Sequence, residues 1–109
     1  MQKGEVYYND ILAGVLEKYG PEDYRFIYDD KYINNAAMPS ISVTLPKRQK
    51  VHTSTWLFSF FSGLLAEGIN KNIQCRLLRI DENDDFTRLL KTASMDTIGA
   101  ITIKEIEEK

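Results

Sequence analysis

His52 is the only histidine in the chain and Cys75 the only cysteine, so any nucleophile–base pair would have to be built around one of them. His52 follows the basic run Lys47-Arg48-Gln49-Lys50, a setting that offers no acid to orient its ring. Cys75 falls in an amphipathic pattern and reads as a core or half-buried thiol. Asp81-Glu82-Asn83-Asp84-Asp85 sets oxygens at 81, 83 and 85, as a calcium loop does. But Phe86 stands at the sixth position, where the turn needs glycine, and Thr92 at the twelfth, where a bidentate glutamate belongs. The same acids serve better at the start of a helix, where they favour its dipole. A glycine-rich phosphate loop, paired-cysteine metal spacing, an HExxH helix and the kinase motif set are all absent from the sequence. The expectation is a protein with no catalytic residue, no metal ligand and no cofactor, hence not an enzyme.

Two features suit binding better than chemistry. In residues 55–67, at about 100° per residue, Trp56, Leu57, Phe58, Phe60, Phe61, Leu64 and Leu65 cover an arc of roughly 200°. A surface helix on one core needs a stripe little wider than about 100°. The rest of the helix wall is small: Ser59, Ser62, Gly63 and Ala66. Trp56, at the edge of the arc and next to the basic run, is the residue expected to leave the core, and tryptophan is enriched among binding hot spots. The second feature is the basic run itself, which with His52 could meet phosphate or an acidic protein patch. The candidate partner-binding set is therefore Lys47, Arg48, Lys50, His52, Ser54, Trp56 and Phe60.

The elements that would hold these residues follow from periodicity and turn chemistry. Residues 5–17 read as a hairpin turning at Asn9-Asp10, residues that tolerate the left-handed backbone of a two-residue turn. Both of its faces carry apolar residues, as a strongly curled sheet would require. Gly20-Pro21 breaks the chain, and Tyr24, Phe26 and Tyr28 alternate along a strand over 24–28. Residues 29–39 read as a loop. Ile41, Val43 and Leu45 alternate with Ser40, Ser42 and Thr44, the pattern of a half-buried strand ending at Pro46, and 47–54 reads as a polar basic loop. Ser54 can cap a helix over 55–67 that stops at Gly68. Asn70 can cap a second through Ile80, with Ile73 and Leu77 on its apolar face. Asn83 or Asp84 can cap a third, containing Phe86, Leu89 and Leu90. Alternation over 98–106 closes the chain with a strand. Strands and helices are largely segregated, so the fold class is α+β: a small curled antiparallel sheet or partial barrel of about five strands, with two to three helices inserted before the last.

The 109 residues, 43% hydrophobic and 28% charged, suit one ordinary globular domain over 1–109. A net charge of −2 supplies no general attraction to nucleic acid or to an anionic membrane. The opening Met1-Gln-Lys-Gly-Glu-Val lacks the apolar run of a secretory signal, and the apolar cluster from Trp56 to Ala66 is too short to span a bilayer. A cytoplasmic location is expected.

Four segments occur in an order that resembles a known family: Ser40-Ile-Ser-Val-Thr-Leu-Pro46, Phe60-Phe-Ser-Gly-Leu-Leu-Ala-Glu-Gly68, Asp85-Phe-Thr-Arg-Leu-Leu90 and Asp96-Thr-Ile-Gly-Ala100. Together with Ala13-Gly14 in the hairpin and Phe26-Ile-Tyr28, they resemble the N-terminal subdomain of the HipA family of bacterial kinase toxins, over nearly the whole chain. Ala66 departs from the proline usual in the family before Glu-Gly. In HipA a kinase core follows this subdomain; a chain that stops at Lys109 is similar instead to the freestanding HipS-type proteins of HipBST toxin–antitoxin systems. The resemblance implies an antitoxin or accessory subunit that binds and inhibits a HipA/HipT-like serine/threonine kinase toxin. A HipB-like DNA-binding protein is a second implied partner. The alternative is a scaffold subunit of a HipB-like repressor–DNA complex acting in operon autoregulation.

Overall fold

The computed structural model describes residues 2–63, 76, 77, 79, 84–92 and 100–106. Its frame is a hairpin. Strand β1 (Gln2–Tyr8) and strand β2 (Ile11–Gly20) pair antiparallel around Asn9-Asp10. Both turn residues take positive φ, 48° and 67°, the geometry whose twist matches the flanking strands. Asn9 N–H also donates to Ala100 O at 2.9 Å, tying the turn to the start of the last strand.

Strand β3 (Asp23–Tyr28) pairs with β2, strand β4 (Val51–Ser54) with β3, and strand β5 (Ile101–Ile106) with β1. The result is one five-stranded antiparallel sheet in the order β4-β3-β2-β1-β5. It stays open, with β4 and β5 at its ends. Gly14 permits the β2–β3 contact: a Cβ there would lie 2.3 Å from Ile27 O and 2.9 Å from the Phe26 ring. Three short helices have both ends among the described residues: α1 (Asp30–Ile33), α2 (Ser59–Ser62) and α3 (Asp85–Thr92). None is long and apolar enough to cross a membrane.

The core lies on one face of the sheet. Val6, Leu16, Phe26, Tyr28, Ile101 and Ile103 are buried there beneath Phe61 of α2 and Phe86, Leu89 and Leu90 of α3. Phe26 is the hub. Its ring centroid lies 4.8 Å from Tyr28, edge to face, and 5.6 Å from Phe61, both inside the range of favourable aromatic pairs. Asp84 starts α3 as expected: its carboxylate accepts from Thr87 N–H at 3.1 Å and from Thr87 Oγ1 at 2.7 Å, satisfying a donor that the first helical turn leaves open.

Four expectations need correction. The loop over 29–39 contains a helical turn, capped by Asp29 and burying Tyr32. The alternating 41–45 segment is not a strand. Its only ladder contact is a bridge between Ser42 and Leu45, and Val43 is 96% exposed. The Tyr28 hydroxyl explains this, since it accepts from Ile41 N–H at 3.1 Å and donates to Leu45 O. Along an extended strand those residues would stand about 13 Å apart, too far for one hydroxyl. The Ser42 side chain holds the turn, accepting from Thr44 N–H at 3.2 Å in place of a ladder bond.

The strand falls instead on Val51–Ser54, expected as basic loop. The charge run ends at Lys50, and Val-His-Thr-Ser supplies a residue to each face and covers the open edge of β3. The helix expected from 55 begins at Ser59, with Phe58 at its N-cap position. Ser54 is committed to β4, and its hydroxyl accepts from Trp56 N–H at 3.1 Å, which turns the chain without starting a helix. The expected helix over 70–80, the stretch 64–68 and residues 98–99 lie outside the described residues, apart from Arg76 and Leu77, which are helical, and Arg79.

Candidate functional site: an exposed indole between two hollows

Trp56 owes its position to the end of β4. The strand carries His52 inward and Thr53 outward, and the Ser54 hydroxyl then closes a tight turn on Trp56 N–H. The next two side chains, Leu57 and Phe58, are pulled onto the core. Trp56 is left 78% exposed. Isolated exposed apolar residues are ordinary, but this is the chain's single tryptophan, and it forms a wall common to two depressions. One is a cleft of about 610 Å³ whose lining includes Lys18, Glu22, Tyr24, Asp85 and Phe86; the other is a smaller hollow of about 270 Å³ reaching Thr44 and Phe58. In the larger cleft the Tyr24 and Phe86 rings lie 5.8 Å apart, and Lys18 Nζ lies 5.5 Å from the Tyr24 ring centre.

The other sequence-nominated residues divide sharply. Lys47 is bound within the molecule. Its ammonium donates to Asn35 O and Met38 O, both at 2.7 Å, and lies 5.3 Å from the Tyr32 ring centre. Lys50 pairs with Asp30 at 2.5 Å and remains exposed. His52 is only 8% exposed. Its Nε2 lies 3.1 Å from Pro46 O, an atom that can only accept, so that nitrogen carries the proton. The ring meets Tyr28 edge-on at 6.1 Å. Phe60 is half-buried, edge-on to Phe61 at 5.2 Å. Arg48 is exposed in the turn before β4. The structure therefore brings Ser54 and Trp56 together, and turns Lys47 and His52 inward.

The site contains more than the sequence indicated. Lys18, Glu22, Tyr24, Asp84 and Asp85 border the large cleft, yet they come from β2, the β2–β3 turn, the start of β3 and the start of α3. No periodicity or spacing links such distant positions. Among the described residues no group of three or more His, Cys, Asp or Glu side chains could hold a metal ion. Cys75 and Asp81–Asn83 lie outside the described residues. The two buried phenols with raised values are structural: burial pushes the Tyr28 hydroxyl up and that of Tyr32 up to about 12, so both are neutral donors under ordinary conditions.

Known proteins share this architecture. The sequence profile of the HipA N-terminal domain family matches residues 4–104. This chain belongs to that family. The HipA N-terminal domain is also its structural likeness: a solved structure, the N-terminal domain of HipA toxin, superposes with a TM-score of 0.75 at 25% identity, covering 100% of this chain and 96% of that one. Among curated proteins no relative matches. Membership in the HipA N-terminal domain family thus gives this five-stranded sheet a toxin–antitoxin context.

Proposed function

We propose that this HipA N-terminal-type domain acts by docking on a HipA/HipT-like serine/threonine kinase toxin, as an antitoxin or accessory subunit that inhibits it, in the cytoplasm and without catalysis of its own. The observation that carries the proposal is Trp56, a large rigid side chain held 78% exposed beside a cleft by a turn built for it. Aromatic anchors of this kind dominate protein interfaces, because they bury much area for little conformational entropy. Chemistry has little to work with: the one histidine is buried against a backbone carbonyl.

The repressor–DNA scaffold reading has weaker support. Of its basic cluster, Lys47 is bound to backbone carbonyls and Lys50 to Asp30, and the chain carries a net charge of −2. Phosphate contact wants cations free to replace counterions.

The test is co-purification of the chain with a HipA-family kinase core, followed by a phosphorylation assay at fixed kinase concentration. Binding and inhibition are expected, both weakened at least about tenfold by Trp56→Ala, with the melting temperature of the variant unchanged. A complex and inhibition unaffected by Trp56→Ala would remove the indole from the mechanism; failure to bind any such kinase would remove the proposal.

A further inference from the structure

The cleft beside Trp56 has a chemical bias that narrows what can enter it. Its wall is the exposed indole, and the Tyr24 and Phe86 rings line it further. Among the described residues its charged groups are three carboxylates, Glu22, Asp84 and Asp85, against one ammonium, Lys18. Asp84 is spent on capping α3. Asp85 faces Arg88 at 3.9 Å but keeps its side chain 51% exposed. Glu22 is exposed in the β2–β3 turn and has no ion pair or hydrogen bond among the described residues. An acidic segment entering here would meet repulsion. A purely aliphatic one would cover the carboxylates without answering their charge.

The molecule already shows what such a surface accepts, since Lys18 Nζ sits 5.5 Å from the Tyr24 ring centre in this same cleft. Arg25 does the same on the opposite face of the sheet, 4.2 Å from the Tyr19 ring centre. The open indole offers a better cation–π surface than either phenol.

We propose that this cleft receives an arginine- or lysine-bearing segment of the partner protein, the cation lying on the Trp56 indole with its charge met by Glu22 and Asp85. This rests on the docking reading above and specifies the chemistry of the docked surface. Arginine fits best. Its planar guanidinium stacks on an aromatic face and donates to a carboxylate at the same time.

The lone tryptophan gives a direct readout. Emission of the full chain is titrated with the peptide acetyl-Gly-Arg-Leu-Arg-Gly-amide and with its counterpart carrying glutamate for arginine. The arginine peptide should shift Trp56 emission saturably, with an apparent affinity at least about fivefold weaker at about 300 mM than at about 50 mM salt. The glutamate peptide should not bind. Glu22→Lys, an exposed turn position whose folding is checked by circular dichroism, should abolish the response, and Glu22→Gln should reduce it. Equal responses to both peptides, or an undiminished response in Glu22→Lys, would overturn the proposal. So would emission that shifts with the concentration of the chain alone, which would assign the cleft to a second copy. The kinase assay separates the two readings. A complex that needs Trp56 but ignores Glu22→Lys sinks the cation and keeps the docking; a peptide response without any kinase complex does the reverse.

Discussion

Residues 40–54 and residues 55–62 adjoin in the chain and treat their side chains in opposite ways. The first segment is the more polar, yet it turns polar groups inward: Lys47 onto two carbonyls, His52 onto Pro46 O, and Ile41 and Leu45 onto one phenol. The second is the more apolar, carrying Trp56, Leu57, Phe58, Phe60 and Phe61, yet it sends its largest side chain outward while Phe61 goes to full burial. Side-chain polarity therefore did not decide destination here. Backbone satisfaction did: a loop crossing over the core must find partners for its own N–H and C=O groups, and the side chains near them are recruited. In the second segment the Ser54 hydroxyl already answers Trp56 N–H, so the indole is not recruited and is left pointing away.

That contrast can be broken most forcefully at Phe61. Phe61→Ala should cost about 3–5 kcal/mol, as expected for emptying an aromatic site in a core, and is read as a lowered urea midpoint; a loss below about 1 kcal/mol would mean that α2 does not cover the hub. Next comes alkaline pH. The folded Tyr32 phenol is raised from 10.0 to about 12 by burial. Its neutral form is the one the fold favours, so its contribution of about 2–3 kcal/mol is complete below pH 10 and fades as pH rises toward about 12. Tyr32→Phe should flatten that decline, and equal slopes in the two proteins would exclude Tyr32 as its source.

Tyr28→Phe should cost about 1–3 kcal/mol, because it strands Ile41 N–H and Leu45 O in a buried setting. Amide exchange at Ile41 should speed up by more than at Val6; uniform acceleration would deny the clasp. The smallest effect is expected at Trp56. Trp56→Ala should move stability by no more than about 0.5 kcal/mol, although it removes the largest side chain of its segment. A loss above about 2 kcal/mol would place the indole in the fold rather than on its surface.

Much of the frame was legible. The hairpin, the 24–28 strand, the Asp84 cap, the closing strand and the α+β class all follow from local signals: turn residues that accept positive φ, period-two alternation, a short acidic side chain ahead of an apolar helix face. The exposure of Trp56 was legible too, although for a partly mistaken reason, since the indole precedes the helix rather than lying on its edge. The cleft was not legible, because Glu22, Trp56 and Asp85 are gathered by sheet order and by the packing of α3 rather than by spacing.

What the sequence determined by itself is whatever a few neighbouring residues can settle. Asn9-Asp10 closes its hairpin through backbone angles those residues tolerate, and Asp84 starts its helix with its own carboxylate. The tertiary structure alone decided which segment became the fourth strand. Ser40–Leu45 has the better alternation, but the Tyr28 hydroxyl draws Ile41 and Leu45 together. The edge of β3 then passes to Val51–Ser54, and the turn that ends this strand is the one that sets Trp56 facing outward.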